Sequence, residues 1–190
     1  MVGIGLERCV GIIVRRRLWS ETSLIVTWLT DRFGTTQTIV KGALRPKSLF
    51  SGKLDLFQKA EVVFKFSRTS SLHSLREAVV QEARLAGFCR GGYLGLAMAS
   101  YFAELATALC PAMQPCYETF DLLDRALKYL ETAEPTMGVL ERYEKRIAKL
   151  AGAWDEGLRV GPQESLVSLF GSLPETRRVL VEGLAIGRSE

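Results

Sequence analysis

A change of period near residue 85 constrains this chain more than any other feature. Before it, β-branched and aromatic residues fall in short runs separated by turn residues; after it, apolar residues recur at three- and four-residue intervals. Val10–Val14 leads into the triplet Arg15-Arg16-Arg17, and Ser23–Thr30 supplies the next strand. Asp31-Arg32-Phe33-Gly34 makes a turn in which Gly34 is free to take positive φ, and Thr35–Lys41 returns as a third strand. Leu54–Phe66 is long enough for a bent strand with Val62, Phe64 and Phe66 on one face; Ser67–Ser71 turns the chain into a last strand, Leu72–Glu82. Five strands without crossover helices predict a small, highly curved barrel.

The second part reads as helices. Tyr93–Cys110 is apolar except for Glu104 and ends at Pro111. Its length only just reaches a membrane span, and Glu104 with the lack of anchoring residues at both ends favours a buried bundle helix. Tyr117–Leu130 places Phe120, Leu123, Leu127 and Leu130 on one side, and Thr136–Ala151 does the same with Leu140, Tyr143, Ile147 and Leu150 before a stop at Gly152. Ser172-Leu173-Pro174-Glu175 reads as a capping box opening a last helix through Leu184. The expected class is α+β: a barrel domain over residues 1–84 and an all-α domain over residues 85–190.

Charge is divided the same way. Residues 1–82 carry 13 Lys and Arg against 7 Asp and Glu, a balance of +6; residues 83–190 carry 12 against 14, a balance of −2. A basic front half is the footprint of a polyanion binder. Its centre is Lys41-Gly42-Ala43-Leu44-Arg45-Pro46-Lys47-Ser48, three cations spaced around a Gly and a Pro directly after a strand. Such a loop points Lys and Arg at phosphates, which position a nucleic acid without reading its bases; it could also be a solvated hairpin turn. With it we group Arg15, Arg16, Arg17, Lys53 and Lys59, giving eight candidate phosphate contacts: Arg15, Arg16, Arg17, Lys41, Arg45, Lys47, Lys53 and Lys59. Trp19, Phe33 and Phe50 lie near these cations at turns and are candidates for stacking on bases, whereas Trp28, Phe57, Phe64 and Phe66 alternate with polar residues as core.

Signals for catalysis are missing. Gly52-Lys53 lacks the upstream Gly and following hydroxyl of a phosphate-binding loop, and the single histidine, His73, sits inside an alternating strand, as a structural or solvent-facing side chain rather than a general base. Cys9, Cys89, Cys110 and Cys116 contain no C-x-x-C pair and His73 is the only histidine, so a zinc site is not expected; nothing else in the sequence looks secreted, so neither is a disulfide framework, and no cofactor is implied. The expectation is a non-enzymatic cytoplasmic protein.

The order of motifs resembles one family. Arg15-Arg16-Arg17-Leu18-Trp19-Ser20-Glu21-Thr22-Ser23-Leu24 is similar to the opening hairpin of the RecO family of bacterial recombination mediators, and Thr30-Asp31-Arg32-Phe33-Gly34 to its T-x-x-x-G turn. Val40–Ser48 resembles its A-K-G-A-R-R-P-K-S loop, and Gly52-Lys53-Leu54-Asp55-Leu56-Phe57 the segment that follows. The likeness covers about residues 9–85; in the helical half only Glu141–Gly152 is similar, and the zinc-coordinating cysteine cluster of many members has no counterpart. The resemblance implies an OB-fold barrel binding single- and double-stranded DNA, annealing of complementary strands, and work in recombinational repair near the nucleoid. It also implies RecR, single-stranded DNA-binding protein and, indirectly, the recombinase RecA as partners, with no membrane role. Arg142, Lys145, Arg146 and Lys149 repeat beside an apolar helix face and are the candidate site for the acidic tail of single-stranded DNA-binding protein; otherwise they form a solvated face braced by Glu141 and Lys145. An RNA-binding OB module and a protein-interaction adaptor are the alternative functions.

Overall fold

The computed structural model describes residues 5–88 and 92–186; Cys89 lies outside them. Five strands, β1 (Leu6–Ser20), β2 (Ser23–Thr30), β3 (Gly34–Val40), β4 (Lys59–Lys65) and β5 (Leu72–Glu82), close a barrel in the order β1-β2-β3-β5-β4. All neighbours are antiparallel except β3 and β5, which run parallel over Gln37–Ile39. This is the five-stranded OB-fold architecture, followed by helices, so the α+β expectation holds.

Strand β1 has 15 residues because it serves two partners. Its first half pairs with β4 and its second with β2, and a bulge between Ile13 and Arg15 marks the changeover. Inward residues fill the barrel: Ile13, Val26, Trp28, Val40, Val62 and Phe64 are essentially inaccessible. The buried indole of Trp28 donates to Thr38 Oγ1 at 2.9 Å, which removes the cost of an unpaired polar group in the core.

The turn before β3 shows why Thr30 and Gly34 are needed. Thr30 Oγ1 accepts from Phe33 N and donates to the Gly34 carbonyl, both at 2.9 Å, while Gly34 takes φ +58°. Residues Cys110–Tyr117 group with this unit: Met113 N donates to Phe33 O at 2.8 Å and Ala112 bridges Gly34. A Cβ on Gly34 would lie 2.2 Å from the Pro111 carbonyl oxygen.

The bent strand expected over Leu54–Phe66 begins only at Lys59. Phe57 adopts φ +64°, which breaks a strand, and the buried Gln58 side chain takes over the local hydrogen bonding: it donates to Gly52 O at 3.0 Å and accepts from Asp55 N at 3.2 Å.

The helical unit comprises Ala86–Leu109 and the residues from Glu118 onward. Its elements are α1 (Leu85–Phe88), α2 (Gly92–Leu109), α3 (Tyr117–Leu130), α4 (Met137–Leu150), α5 (Pro162–Phe170) and α6 (Thr176–Ile186). The apolar α2 is the buried helix: Met98, Tyr101, Phe102 and Leu105 are inaccessible, and no described helix is long and apolar enough to cross a membrane. Phe102 stacks on Tyr143 of α4 at 3.9 Å, and Tyr101 and Arg177 both donate to the buried carboxylate of Glu144. Burial first, then the Glu144 charge, pushes the Tyr101 hydroxyl pKa upward, so it stays a donor. Thr136 caps α4 and Gly152 closes it at φ +64°. The last helix starts at Thr176, just past the box read at Ser172–Glu175, and α5 was not expected; Glu164 reaching back to Gly161 N at 3.2 Å is what opens it.

Candidate nucleic-acid interface

Two segments of the barrel carry the basic residues. The first is the far half of the β1–β2 hairpin, where Arg15, Arg16 and Arg17 stand opposite Thr27, Val26 and Ile25. Alternation sends Arg15 and Arg17 to one face and Arg16 to the other. The second is the loop after β3, built from consecutive turns. Pro46 and Lys47 form the centre of a turn closed by Ser48 N donating to Arg45 O at 3.1 Å, with Lys47 at φ +65°. Pro followed by a residue of positive φ is the geometry of a type II turn, which suits Gly better than Lys at its third position.

These segments are fastened together. Leu44 N donates to Thr22 O at 3.0 Å, and Gly42 N to Ser23 Oγ at 3.4 Å, so the loop is pinned to the hairpin tip. The result brings Lys41, Arg45 and Lys47 beside the strand pair bearing Arg15 and Arg17. All five are exposed and have no carboxylate within ion-pair distance among the described residues. Unpaired cations held on a rigid sheet and a pinned loop are what a polyphosphate requires, because none must first be released from a partner.

The other three predicted cations are placed differently. Arg16 donates to Asp55 Oδ1 at 2.7 Å and Leu54 O at 3.1 Å, tying β1 to the turn before β4. The pair is 44% and 39% exposed, so it is worth about 0–1 kcal/mol and gives way easily to a phosphate. Lys59 is mostly buried, 19% exposed, with its Nζ 3.5 Å from Glu82 Oε1; it belongs to the seam between β4 and β5. Lys53 is half-buried after the positive-φ turn at Gly52.

Of the three aromatic residues expected near the ligand, only Trp19 stands in solvent, at 56% exposed. Phe33 is buried edge-on to Phe66 with the Arg32 guanidinium 5.1 Å above it, and Phe50 packs against the core. Sequence reasoning could not separate these, since all three adjoin turns. It also missed Gln58, whose signal is a polar residue immediately before a strand with nowhere to go but inward.

On α4 the four candidate partner residues divide. Arg142 and Arg146 line a cleft of about 280 Å³ with Phe102, Leu122, Tyr129 and Tyr143. Lys145 and Lys149 instead both hold Glu156 Oε1, at 3.4 and 2.9 Å, and lie over the Trp154 ring at 5.2 and 5.6 Å. The Lys149 hydrogen bond, then that of Lys145, keeps the Glu156 carboxyl below its ordinary range. The brace expected from Glu141 is thus supplied by Glu156. Among the described residues no group of three or more His, Cys, Asp or Glu is arranged to hold a metal ion.

The family model for the recombination protein O N-terminal region matches residues 4–84, the whole of the barrel's strand sequence. A DNA repair protein RecO of Moorella thermoacetica is 33% identical over 149 residues, covering 78% of this chain and 54% of the relative. The chain belongs to the RecO family. Further RecO relatives include those of Anaeromyxobacter dehalogenans, 32% identical over 75% of this chain and 55% of the relative, and Rhodopirellula baltica, 31% identical over 94% and 58%. The chain thus spans a little over half the length of these RecO proteins. The alignments run past the barrel, so the RecO likeness extends into the helical unit as well.

Proposed function

We propose that this chain is a non-enzymatic DNA-binding protein of recombinational repair that holds single- and double-stranded DNA by its phosphates and brings complementary strands together. The observation that carries this reading is the set of five unpaired, exposed cations, Arg15, Arg17, Lys41, Arg45 and Lys47, on a hairpin and loop joined by the Leu44–Thr22 hydrogen bond. Two strands repel through their phosphates; a cationic surface contacting both reduces that repulsion and releases counterions from each. Arg16 faces away from Arg15 and Arg17 and is tied to Asp55, Lys53 lies on the loop's flank, and Lys59 contributes chiefly to the barrel. That its relatives are DNA repair proteins supports the role in repair.

The helical unit supplies the second half of the proposal. Arg142 and Arg146 beside an apolar cleft suit a short acidic, hydrophobic peptide such as the tail of single-stranded DNA-binding protein, with Lys145 and Lys149 on the neighbouring face. Binding that tail and DNA together would place the chain on coated single strands, where RecR and RecA act with it.

Strand annealing of complementary oligonucleotides, bare and precoated with single-stranded DNA-binding protein, tests both halves. Neutralising Lys41, Arg45 and Lys47 to Gln should slow both reactions. Reversing Arg142 and Arg146 to Glu should slow only the coated one. Annealing at the uncatalysed rate with the natural chain contradicts the proposal.

A further inference from the structure

Phosphate contact explains the cations of the barrel tip but not the apolar side chains among them. Leu18 is 68% exposed, Trp19 56%, Leu44 48% and Leu49 83%, and all four lie on the same hairpin and loop as the five unpaired cations. Phe50, on the same loop, is drawn against the core, so large side chains here are not left outside for want of somewhere to pack. Trp19 falls at the bulge between Leu18 and Ser20, which takes it out of the ladder with β2. Leu44 is brought against the same tip by its own backbone bond to Thr22 O at 3.0 Å.

From this we infer that the tip takes the unstacked bases of a single strand, with Trp19 and Leu44 as the base-contacting residues, and so distinguishes single-stranded DNA from duplex. The inference rests on the reading of the barrel as a DNA-binding surface. A duplex presents phosphates while its base faces are hidden in the stack, so exposed rings and Leu side chains gain nothing from it. A single strand presents both, and an aromatic face is sequence-tolerant because every base has a π-surface. Arg15, Arg17, Lys41, Arg45 and Lys47 would hold the backbone while Trp19 and Leu44 cover the bases it carries. For an acidic protein surface the cations alone would suffice.

The experiment compares the full chain with its Trp19→Ala/Leu44→Ser variant, using anisotropy of labelled oligothymidylate, an abasic strand of the same length, and a duplex. The variant should lose about tenfold or more on oligothymidylate, the scale of one lost base stack, and less than about twofold on duplex and abasic strand. Trp19→Phe should restore most of the loss, which also controls for folding. Equal losses on all three DNAs, or none, overturn the inference while leaving the DNA-binding reading standing. A natural chain that binds none of them overturns both.

Discussion

Replacing Lys47 separates the two things this residue does in the loop, fixing a turn and presenting a charge. At φ +65° any residue with a Cβ pays about 1–2 kcal/mol relative to its preferred backbone. Lys47→Gly removes that strain but adds about 0.5–1 kcal/mol of unfolded-state freedom, so the variant should be more stable by about 0.5 kcal/mol. Lys47→Ala keeps the strain and gains nothing. Both lose the charge, and if Lys47 touches a phosphate the log-log dependence of single-strand affinity on salt should fall by about 0.7 in each. Urea unfolding followed by the buried Trp28, together with anisotropy titrations across salt, reads the two effects separately. Lys47→Ala proving the more stable would refute the turn argument, and an unchanged salt dependence in both would take Lys47 out of the DNA path.

Gly34→Ala should destabilise the barrel by about 2 kcal/mol or more, because positive φ and the 2.2 Å approach to the Pro111 carbonyl act together; a midpoint within error of the natural chain would show that residues 110–117 yield freely. His73 gives a pH prediction. Burial lowers its pKa below the ordinary 6.5, and its Nδ1 accepts from Ser67 N at 3.1 Å, a bond protonation would remove. The unfolded chain therefore binds more protons below about pH 6.5: the contribution is complete above that value and is lost as pH falls toward the folded pKa. Barrel stability should decline as pH falls below about 6.5, and His73→Asn, whose Oδ1 stands where Nδ1 does and accepts the same bond without titrating, should flatten the decline. An equal decline in the variant would assign it to other groups.

What was legible in the sequence was whatever depends on local period and turn chemistry. Ser23–Thr30, Leu72–Glu82 and Tyr117–Leu130 were readable to the residue, and Gly34 was identifiable as a positive-φ position. What escaped depends on partners distant in the chain. The residues 54–58 look like strand until Gln58 turns inward to bind Gly52 and Asp55. Lys59 and Arg16 look like free cations until β5 brings Glu82 and the preceding turn brings Asp55. Phe33 looks like a base platform until Phe66, just past the end of β4, meets it. The short α5 was hidden because its opening signal, Gly161-Pro162 with Glu164, is carried by a reach-back bond rather than by apolar period.

The most direct test of the central claim is the salt dependence of single-stranded oligonucleotide binding by the natural chain. Five unpaired cations, each contributing about 0.7, predict a log-log slope of about 3.5, with tight binding in dilute buffer. No binding in dilute buffer, or a slope near zero, would contradict the account.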